Sequence, residues 1–554
     1  MATTVQAAAA PGDPKPSIGN QIGSLPRSYW MVNIIEMFER LAYYGVRVVI
    51  PIYIAQADAI GGLHFTMAQK ANIFAIWAAV QTFVPLFSGG FADRYGYKRT
   101  IAAAVAINVI GYLLMATQRE YLPFLLGCCT LAFGTAIFKP GVQGTLSQSL
   151  SKVNSGVGWG IFYMMVNVGA FLGPPLAHEL RGLSWPMLFM GCACIMALNY
   201  LMLLTYPEVG AGGHGEATEV KKRGVSDFVR LAVLIGIGLV LARVLFWGNH
   251  NAAVASVVDL TIFGVLLLIL KGQAQPVNKQ TGTPLDVLVT TFRNLMQPTL
   301  LAFILIMSGF WLMFMQLFDL LPNFIEDWVD SSQMVAALHV PQFMLQQGSL
   351  RGPQMSQEWM INFDAGLVIV GVVFVSWLVS RMRRIMSITI GMVIATAGLV
   401  LSGYTTSGYL CLLGILVFAV GEMLASPKLN EYLGVIAPPG QKGLYMGYAN
   451  VPFAIGWVSA SKLGGYVYGE WGEKAKLAQD YLAQHHQITG VSRPEAMQKL
   501  LAVTGLNHVD ATSMLWNAYH PGRLFFVFGV VGMLSALLML AYSQWVKGME
   551  SHNV

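Results

Sequence analysis

Charged side chains lie inside several long apolar segments of this sequence, and the first of these segments carries the most. Its polar side chains are two acids, two arginines and a tyrosine, namely Glu36, Glu39, Arg40, Tyr43 and Arg47. On a helix these positions fall within an arc of about 100° and form a stripe about three turns long. A charge that faced lipid would be costly, so we expect the stripe to face a protein interior or a wet cavity.

The stripe contains the groups that a proton carrier requires. A carboxylate keeps its charge while a neighbouring arginine pairs with it, and it accepts a proton more readily when that arginine turns to another partner. Such chemistry needs a proton gradient and no other cofactor. The alternative is a structural lattice of ion pairs that pins the first helix to its neighbours.

A second charge lies in the segment AFGTAIFKPGVQGT, which places Lys139 inside a predicted membrane span. The following Pro140 and Gly141 predict a locally broken helix near the middle of the membrane. A lone lysine there needs an anion, either an acid of the first stripe or the carboxylate of a bound solute. In a later span Glu422 and Ser426 share a helix face, so the other half of the chain has its own acid. Cations in one half and an acid in the other match the charges of a zwitterion.

Other polar residues indicate less. Asp319 and Asp364 lie near the ends of apolar runs, and we expect both to be solvated in loops. His485 and His486 are adjacent and would point to different sides of a helix, so no metal site is predicted. The five cysteines lie in apolar runs without metal-ligand spacing and are expected to be inert. The sequence shows no nucleophile–base pair, metal cluster or phosphate-binding loop, which argues against an enzyme.

The elements that position these residues are predicted to be membrane-spanning helices. The chain has 554 residues, of which 55% are hydrophobic and only 11% charged, a balance typical of polytopic membrane proteins. Lipid cannot satisfy the backbone of an open sheet, so the fold class is all-α. Twelve predicted spans form two sets of six, at 30–55, 72–91, 100–116, 121–146, 157–177 and 185–206, and at 299–321, 361–379, 385–401, 409–433, 444–468 and 524–545. Two extra spans, 231–247 and 252–270, lie between the sets and bring the total to 14.

These spans predict a domain order. A disordered cytoplasmic tail at 1–29 is followed by a six-helix bundle at 30–206, a linker with the two extra spans at 207–293, and a second six-helix bundle at 294–547. Lysines and arginines collect in the loops on one side, which predicts that both termini are cytoplasmic in a bacterial inner membrane. This distribution also explains the net charge of +6 without a nucleic-acid partner. Insertions at 322–360 and 469–523 then lie on the opposite face, and 495–502 has helical periodicity.

Five motifs in order along nearly the whole chain resemble those of the proton-dependent oligopeptide transporters, a branch of the major facilitator superfamily. They are ExxER with LAYYG at 36–45, GGFADRYGYKR at 89–99, FKPGV at 138–142, FYMMVNVGAFLGP at 162–174 and GEMLASP at 421–427. The resemblance implies a bundle of six plus six helices with a solute site near the midplane between the halves. It also implies the two extra helices that bacterial members often carry between the halves.

The resemblance implies roles for individual residues. Proton coupling would involve Glu36, Glu39, Arg40 and Lys139. Arg47 and Lys139 would meet the carboxylate of a peptide, Glu422 its amino group, and Tyr43 and Asn167 its backbone. The full set of substrate-site candidates is Arg47, Tyr43, Lys139, Asn167, Trp311, Gln316, Glu422 and Ser426. The cytoplasmic loop motif, with Gly89, Asp93 and Arg94, suits a gate that breaks and reforms, although a loop that merely sets topology would look similar.

The sequence departs from the family's pattern at two positions. The family usually has an acid before the glutamine of the seventh span, whereas here Met315 precedes Gln316, so that acid is missing or displaced to Asp319. Trp77 stands where many members have a tyrosine in the second span. Both differences concern substrate selectivity more than proton coupling.

The sequence therefore predicts a proton-driven symporter, a monomer in the lipid bilayer, that imports di- or tripeptides or a related zwitterion by alternating access. Two alternatives stay open. One is a proton symporter of the same fold for another substrate, such as an amino-acid conjugate, a cell-wall fragment or nitrate. The other is a membrane sensor or scaffold that has lost transport.

Overall fold

The computed structural model describes residues 18–57, 59–85, 92, 96–150, 154–206, 295, 297–346, 349, 351–378, 382–436 and 448–552. The predicted linker at 207–293, with its two extra spans, and the gating candidates Gly89, Asp93 and Arg94 lie outside these residues. The described part of the chain is built from α-helices, with two short 3-10 helices.

The N-terminal half contains a short helix α1 and six long helices. Their bounds are α1 Ile18–Gly23, α2 Arg27–Ala55, α3 Met67–Phe83, α4 Tyr97–Thr117, α5 Tyr121–Ser149, α6 Ser155–Leu183 and α7 Trp185–Leu203. Each of the six predicted spans coincides with one of these long helices. The helix α3 starts five residues earlier than predicted because Thr66 and Gln69 form a capping box that satisfies backbone N–H groups at its N-terminus.

The C-terminal half also has six long helical segments in its described residues, and it adds shorter helices. Their bounds are α8 Pro298–Phe314, α9 Gln316–Asp319, α10 Leu321–Trp328, α11 Ser332–Leu338, α12 Gln357–Leu378, α13 Arg384–Gly403, α14 Gly408–Ile436, α15 Asn450–Trp471, α16 Lys474–His486, α17 Ala496–Thr504, α18 His508–Tyr519 and α19 Phe525–His552. The 3-10 helices are Gln342–Met344 and Pro521–Leu524. Seven helices in the described part are long and apolar enough to cross a membrane.

Glycines let neighbouring helices approach closely. The helix α2 lies against α6, where a Cβ on Gly173 would be 2.7 Å from the backbone nitrogen of Gly45. Likewise α13 lies against α14, where a Cβ on Gly398 would be 2.7 Å from the carbonyl oxygen of Gly414. Small residues are how membrane helices gain van der Waals contact where lipid gives no hydrophobic drive to associate. The close contact between Gly45 and Gly173 thus fixes the orientation of the charged face of α2.

Two helix pairs join the halves. The helix α3 packs against α15, and α6 packs against α12. The short helices α9 and α10 add contacts to α2. These pairings place α2 beside the boundary between the halves, where a stripe of charges can be reached from both.

The predicted span 299–321 is not one straight helix. It consists of α8, a break at Met315, the short helix α9, and a second break at Leu320 before α10 begins with Pro322 in its first turn. Proline suits that position because the first N–H groups of a helix have no partner within it. The breaks turn Gln316 and Asp319 toward the protein interior, where both are buried.

The two insertions fold as compact helical segments on the same end of the bundle, which we call the insertion face. The indole N–H of Trp328 in the first insertion donates to the carbonyl oxygen of Gly472 in the second, at 2.7 Å. The rings of Phe324 and Trp516 also meet, with centroids 6.1 Å apart. The predicted helical stretch 495–502 is confirmed as α17.

Two expectations about elements are wrong. Residues 18–29, predicted as disordered tail, form α1 and the start of α2, and the buried Tyr29 hydroxyl donates to the carbonyl oxygen of Gly158 at 2.7 Å. The helix α5 runs unbroken through Pro140, because a proline inside a helix often only bends it. Gly141 instead allows close packing, since a Cβ there would lie 2.8 Å from Ile101.

Candidate functional site

The acids of the first stripe share one arginine. The Arg40 guanidinium lies 2.5 Å from the Glu39 carboxylate and 3.2 Å from that of Glu36, and all three residues are at most 5% exposed. The prediction that the stripe faces the protein interior is therefore confirmed. One guanidinium held between two carboxylates leaves the group one positive charge short, so one of the acids is the natural place for a proton.

Tyr43 extends the stripe toward α3. The Arg40 guanidinium lies 5.2 Å from the centre of the Tyr43 ring. The Tyr43 hydroxyl donates to the Gln81 side-chain oxygen at 3.1 Å, and the indole N–H of Trp77 donates to the same oxygen at 2.7 Å. Trp77, the residue that departs from the family's pattern, thus fixes Gln81, and Gln81 in turn fixes Tyr43.

The last stripe residue, Arg47, is paired across the two halves. Its guanidinium forms a salt bridge with Asp319 and lies over the rings of Phe74 and Trp457, at 4.9 and 5.2 Å from their centres. Ser461 donates a hydrogen bond to the other Asp319 oxygen at 3.0 Å. The expectation that Asp319 is solvated in a loop is wrong, because the break between α8 and α10 turns it inward.

Lys139 lies on α5 beside the stripe. It interacts electrostatically with Glu36, Glu39 and Arg40 but forms no hydrogen bond or ion pair with any residue that the structure describes. The lysine is only partly buried. It is therefore placed to take an anion from outside the chain or, after a small movement, an acid of the stripe.

The C-terminal half presents two acids at this level. Glu422 interacts electrostatically with Tyr44 and Tyr163 of the N-terminal half, and Asp364 interacts with Glu422. Asp364 is 5% exposed, and one of its oxygens has no hydrogen-bond partner among the described residues. The expectation that Asp364 is solvated in a loop is wrong, because α12 begins seven residues before it. Ser426, one turn beyond Glu422, also has a hydroxyl without a partner in the described part.

Three further substrate-site candidates, Asn167, Gln316 and Trp311, already make contacts within the protein. The Asn167 amide donates to the carbonyl oxygen of Tyr163 at 2.8 Å. The Gln316 amide donates to the carbonyl oxygens of Leu312 and Ala460, at 3.0 and 3.2 Å. Trp311 packs edge-to-face against aromatic neighbours, and its indole nitrogen has no hydrogen-bond partner in the described ranges.

A buried polar network that sequence reasoning missed continues from Arg47 toward the insertion face. The Lys70 ammonium donates to the Asp319 carbonyl and to the Asn323 side chain, both at 2.8 Å. Asn323 donates to Gln56 at 3.0 Å, and Gln56 donates to Asp327 at 2.6 Å. A lysine two residues before a predicted span was the available signal, because such a residue needs a partner unless it reaches water.

A second missed contact between the halves lies where α6 meets α12. The Arg181 guanidinium is 2.5 Å from the Glu358 carboxylate and 3.5 Å from that of Glu326 in the first insertion. His178 lies 3.8 Å from Glu358. Together with the Arg47–Asp319 pair, this cluster ties the halves to each other on the insertion-face side of the stripe.

The fold and these buried charges define a membrane transporter made of two helical halves, and comparison with known proteins agrees. A sequence model described as the Major Facilitator Superfamily matches residues 32–461. Among curated proteins, the peptide transporter YePEPT of Yersinia enterocolitica is 23% identical over 78% of this chain and 86% of its own length. Dipeptide and tripeptide permease A of Erwinia pyrifoliae is 26% identical over 45% of this chain and 51% of its own length.

Solved structures share the fold over nearly the whole chain. A POT family transporter in complex with 5-aminolevulinic acid gives a TM-score of 0.64 at 17% identity and covers 95% of this chain and 99% of that one. A peptide transporter POT in complex with sulfate gives the same TM-score at 15% identity, with 96% and 99% covered. The chain belongs to the major facilitator superfamily and is a transporter, not an enzyme. The resemblance to the proton-dependent oligopeptide transporters, drawn from five motifs, is confirmed.

Proposed function

We propose that the chain is a proton-coupled symporter that imports di- or tripeptides, or a related zwitterion, by alternating access in a bacterial inner membrane. The observation that carries the proposal is the buried group of Glu36, Glu39 and Arg40 with Lys139 beside it. If a solute carboxylate neutralises Lys139, the balance of charge around Arg40 changes, and the proton affinity of the acids changes with it. Proton and solute are then coupled without a further cofactor.

The acids of the other half support a zwitterionic solute. Glu422 and Asp364 have no cation paired with them in the described part of the chain, and a solute ammonium would supply one. Lys139 on the opposite half would receive the carboxylate. The names of the curated relatives, a peptide transporter and a dipeptide and tripeptide permease, support a short peptide as that solute.

The contacts between the halves support one stage of the transport cycle. The Arg47–Asp319 and Arg181–Glu358 pairs fasten the insertion face. With both termini in the cytoplasm, as the loop charges predict, the insertion face is the outer face. The structure then corresponds to a conformer closed to the outside, which must break these pairs before it can load a solute.

The test is uptake of labelled di- and tripeptides into proteoliposomes with an inward proton gradient. We expect wild type to accumulate peptide, and Glu39→Gln to lose accumulation while still exchanging labelled for unlabelled peptide, because solute binding does not need that acid. The matched control is Glu120→Gln, an exposed acid before α5. Accumulation by Glu39→Gln at the wild-type level would refute the proton assignment, and failure to transport any peptide would refute the substrate.

One observation favours a second candidate, a symporter of the same fold for a small non-peptide zwitterion. Met315 stands where the family usually has an acid before Gln316, and Asp319, the candidate for a displaced acid, is already engaged by Arg47. A structural neighbour was solved with 5-aminolevulinic acid, a compact amino acid. Competition of that compound and of nitrate against a labelled dipeptide in the same vesicles separates the candidates.

A further inference from the structure

An arginine of the second insertion fastens the two halves to each other at the C-terminal end of α2. Arg493 lies in the segment between α16 and α17, and its guanidinium reaches the segment that joins α2 to α3 in the other half. It donates to the carbonyl oxygens of Ala55 at 3.1 Å, His64 at 3.1 Å and Phe65 at 2.8 Å.

The three acceptors form a site suited to a guanidinium. Ala55 is the last residue of α2, whose terminal carbonyls have no partner within the helix and carry the negative end of its dipole. His64 has φ of 55°, a left-handed conformation that L-residues rarely adopt, in the segment that carries two of the acceptors. One side chain thus satisfies three backbone acceptors that belong to the opposite half.

Glu473 holds the guanidinium from the side of the insertion. Its carboxylate accepts from Arg493 Nε at 2.6 Å and also from Nη2. Glu473 is 5% exposed and immediately precedes Lys474, which lies 3.8 Å from Asp327 and donates to its carbonyl oxygen at 3.2 Å. The Tyr468 hydroxyl donates to the same aspartate at 2.6 Å. The arginine is therefore oriented by a carboxylate that is itself built into the C-terminal half.

We propose that residues 469–523 form a latch over the insertion face, and that Arg493, oriented by Glu473, is the side chain that must leave the α2–α3 segment each time this face opens. The alternating-access cycle proposed above is the setting in which the latch works. Opening separates the halves at this end, and the arginine then loses three acceptors at once. The latch is thus a third contact that holds the halves together on the insertion face, in addition to the Arg47–Asp319 and Arg181–Glu358 pairs.

The latch is tested by distances between spin labels in the purified protein, without any solute. Labels at Ile60→Cys and Gln498→Cys, both exposed and on opposite sides of the latch, are attached in a Cys194→Ser background that removes the exposed native cysteine. We expect Arg493→Ala to increase the long-distance population several-fold over wild type. Arg493→Lys should lie between them, because one ammonium keeps the charge but cannot match the planar fork of a guanidinium.

Two controls separate a released latch from a damaged one. Arg523→Ala removes an exposed arginine of the same insertion and should leave the distances unchanged. A label pair within the insertion, Gln498→Cys with Asn517→Cys, should give the same distance in Arg493→Ala as in wild type. Wild-type distances across the latch in Arg493→Ala would overturn the proposal, and so would a changed distance within the insertion. Because no peptide is present, failure of the peptide assignment would leave this result unaffected.

Discussion

The ion pair between Arg47 and Asp319 joins residues 272 positions apart that belong to opposite halves of the molecule. Both are buried, so each charge was removed from water and depends on the other. The nearby Ser461 hydroxyl and the Phe74 and Trp457 rings leave little room for either side chain to find another partner. The pair therefore acts as a unit.

A double-mutant cycle measures that unit. Arg47→Ala and Asp319→Ala should each destabilise the insertion-face-closed protein by about 3–5 kcal/mol, because each leaves an unpaired buried charge. The double variant should cost less than the sum of the two. Thermal unfolding in detergent gives the three values. Additive losses would mean that the two side chains do not depend on each other.

The pH dependence of the latch has a definite sign. Burial raises the pKa of the Glu473 carboxyl from 4.5 to about 7, against the opposing effects of Arg493 and Lys70, while Asp327 adds to the increase. Both Arg493 bonds fall on one Glu473 oxygen, so the other oxygen can hold a proton in the closed state, and an open state in which water reaches the carboxyl gives that proton up. Closure is favoured at acidic pH and loses this contribution as the pH rises through about 7.

The measurement is the long-distance population of the Ile60–Gln498 label pair as a function of pH. In wild type this population should grow as the pH rises from 4.5 to about 7, and Glu473→Gln should remove the change because the amide does not titrate. Glu495→Gln, at an exposed acid two residues beyond Arg493, is the control and should follow wild type. A population that grows on acidification would contradict this linkage.

At the level of elements, the positions of the charges follow from how closely α2 and α6 pack. Gly45 and Gly173 bring the two backbones together, and this contact fixes the rotation of α2 and hence the direction of its stripe. The periodicity of the stripe was readable from the sequence because helix geometry is local. The partner of Arg47 was not, because it depends on two helix breaks around α9 that the apolar run 299–321 does not reveal.

A pair of glycine substitutions tests the role of this packing. Gly173→Ala should destabilise the protein by about 1–3 kcal/mol, since the added carbon would force the backbones of α2 and α6 apart. Gly371→Ala on α12 is the matched control, because its added carbon meets only the flexible end of Met423, at 3.2 Å. There the gain in helix propensity should leave stability unchanged or slightly increased. Thermal unfolding distinguishes the two variants.

On the scale of the whole molecule, the two halves differ in charge at the level of the stripe. The N-terminal half offers Lys139 and Arg40 with their acids, whereas the C-terminal half offers Glu422 and Asp364 with no paired cation in its described residues. The motifs predicted the fold, the family and the first three of these residues. Asp364 was missed because its burial depends on where α12 begins, a boundary that apolar periodicity sets only to within a few residues.

This asymmetry predicts a preference for solute charge. Uptake of an alanyl-lysine dipeptide should exceed that of alanyl-glutamate, because two adjacent carboxylates favour an extra cation. Asp364→Asn should reduce the ratio of the two rates several-fold. The control is Asp480→Asn, because Asp480 lies in the second insertion and pairs there with Lys476. This substitution should leave the ratio of the two rates unchanged. Equal uptake of both dipeptides by wild type would show that Asp364 and Glu422 do not set selectivity.

The contact between the two insertions, through Trp328, Gly472, Phe324 and Trp516, has a consequence for how this transporter can be re-engineered. The described helices of the two insertions all belong to the C-terminal half, and Arg493 is among the side chains through which they contact the N-terminal half. The insertions and the stripe acids Glu36 and Glu39, which we propose carry the proton, are thus encoded in separate stretches of the gene. Replacing the insertions with shorter loops would change which large solutes reach the site and how fast they do so. It would leave the ratio of protons to solute unchanged.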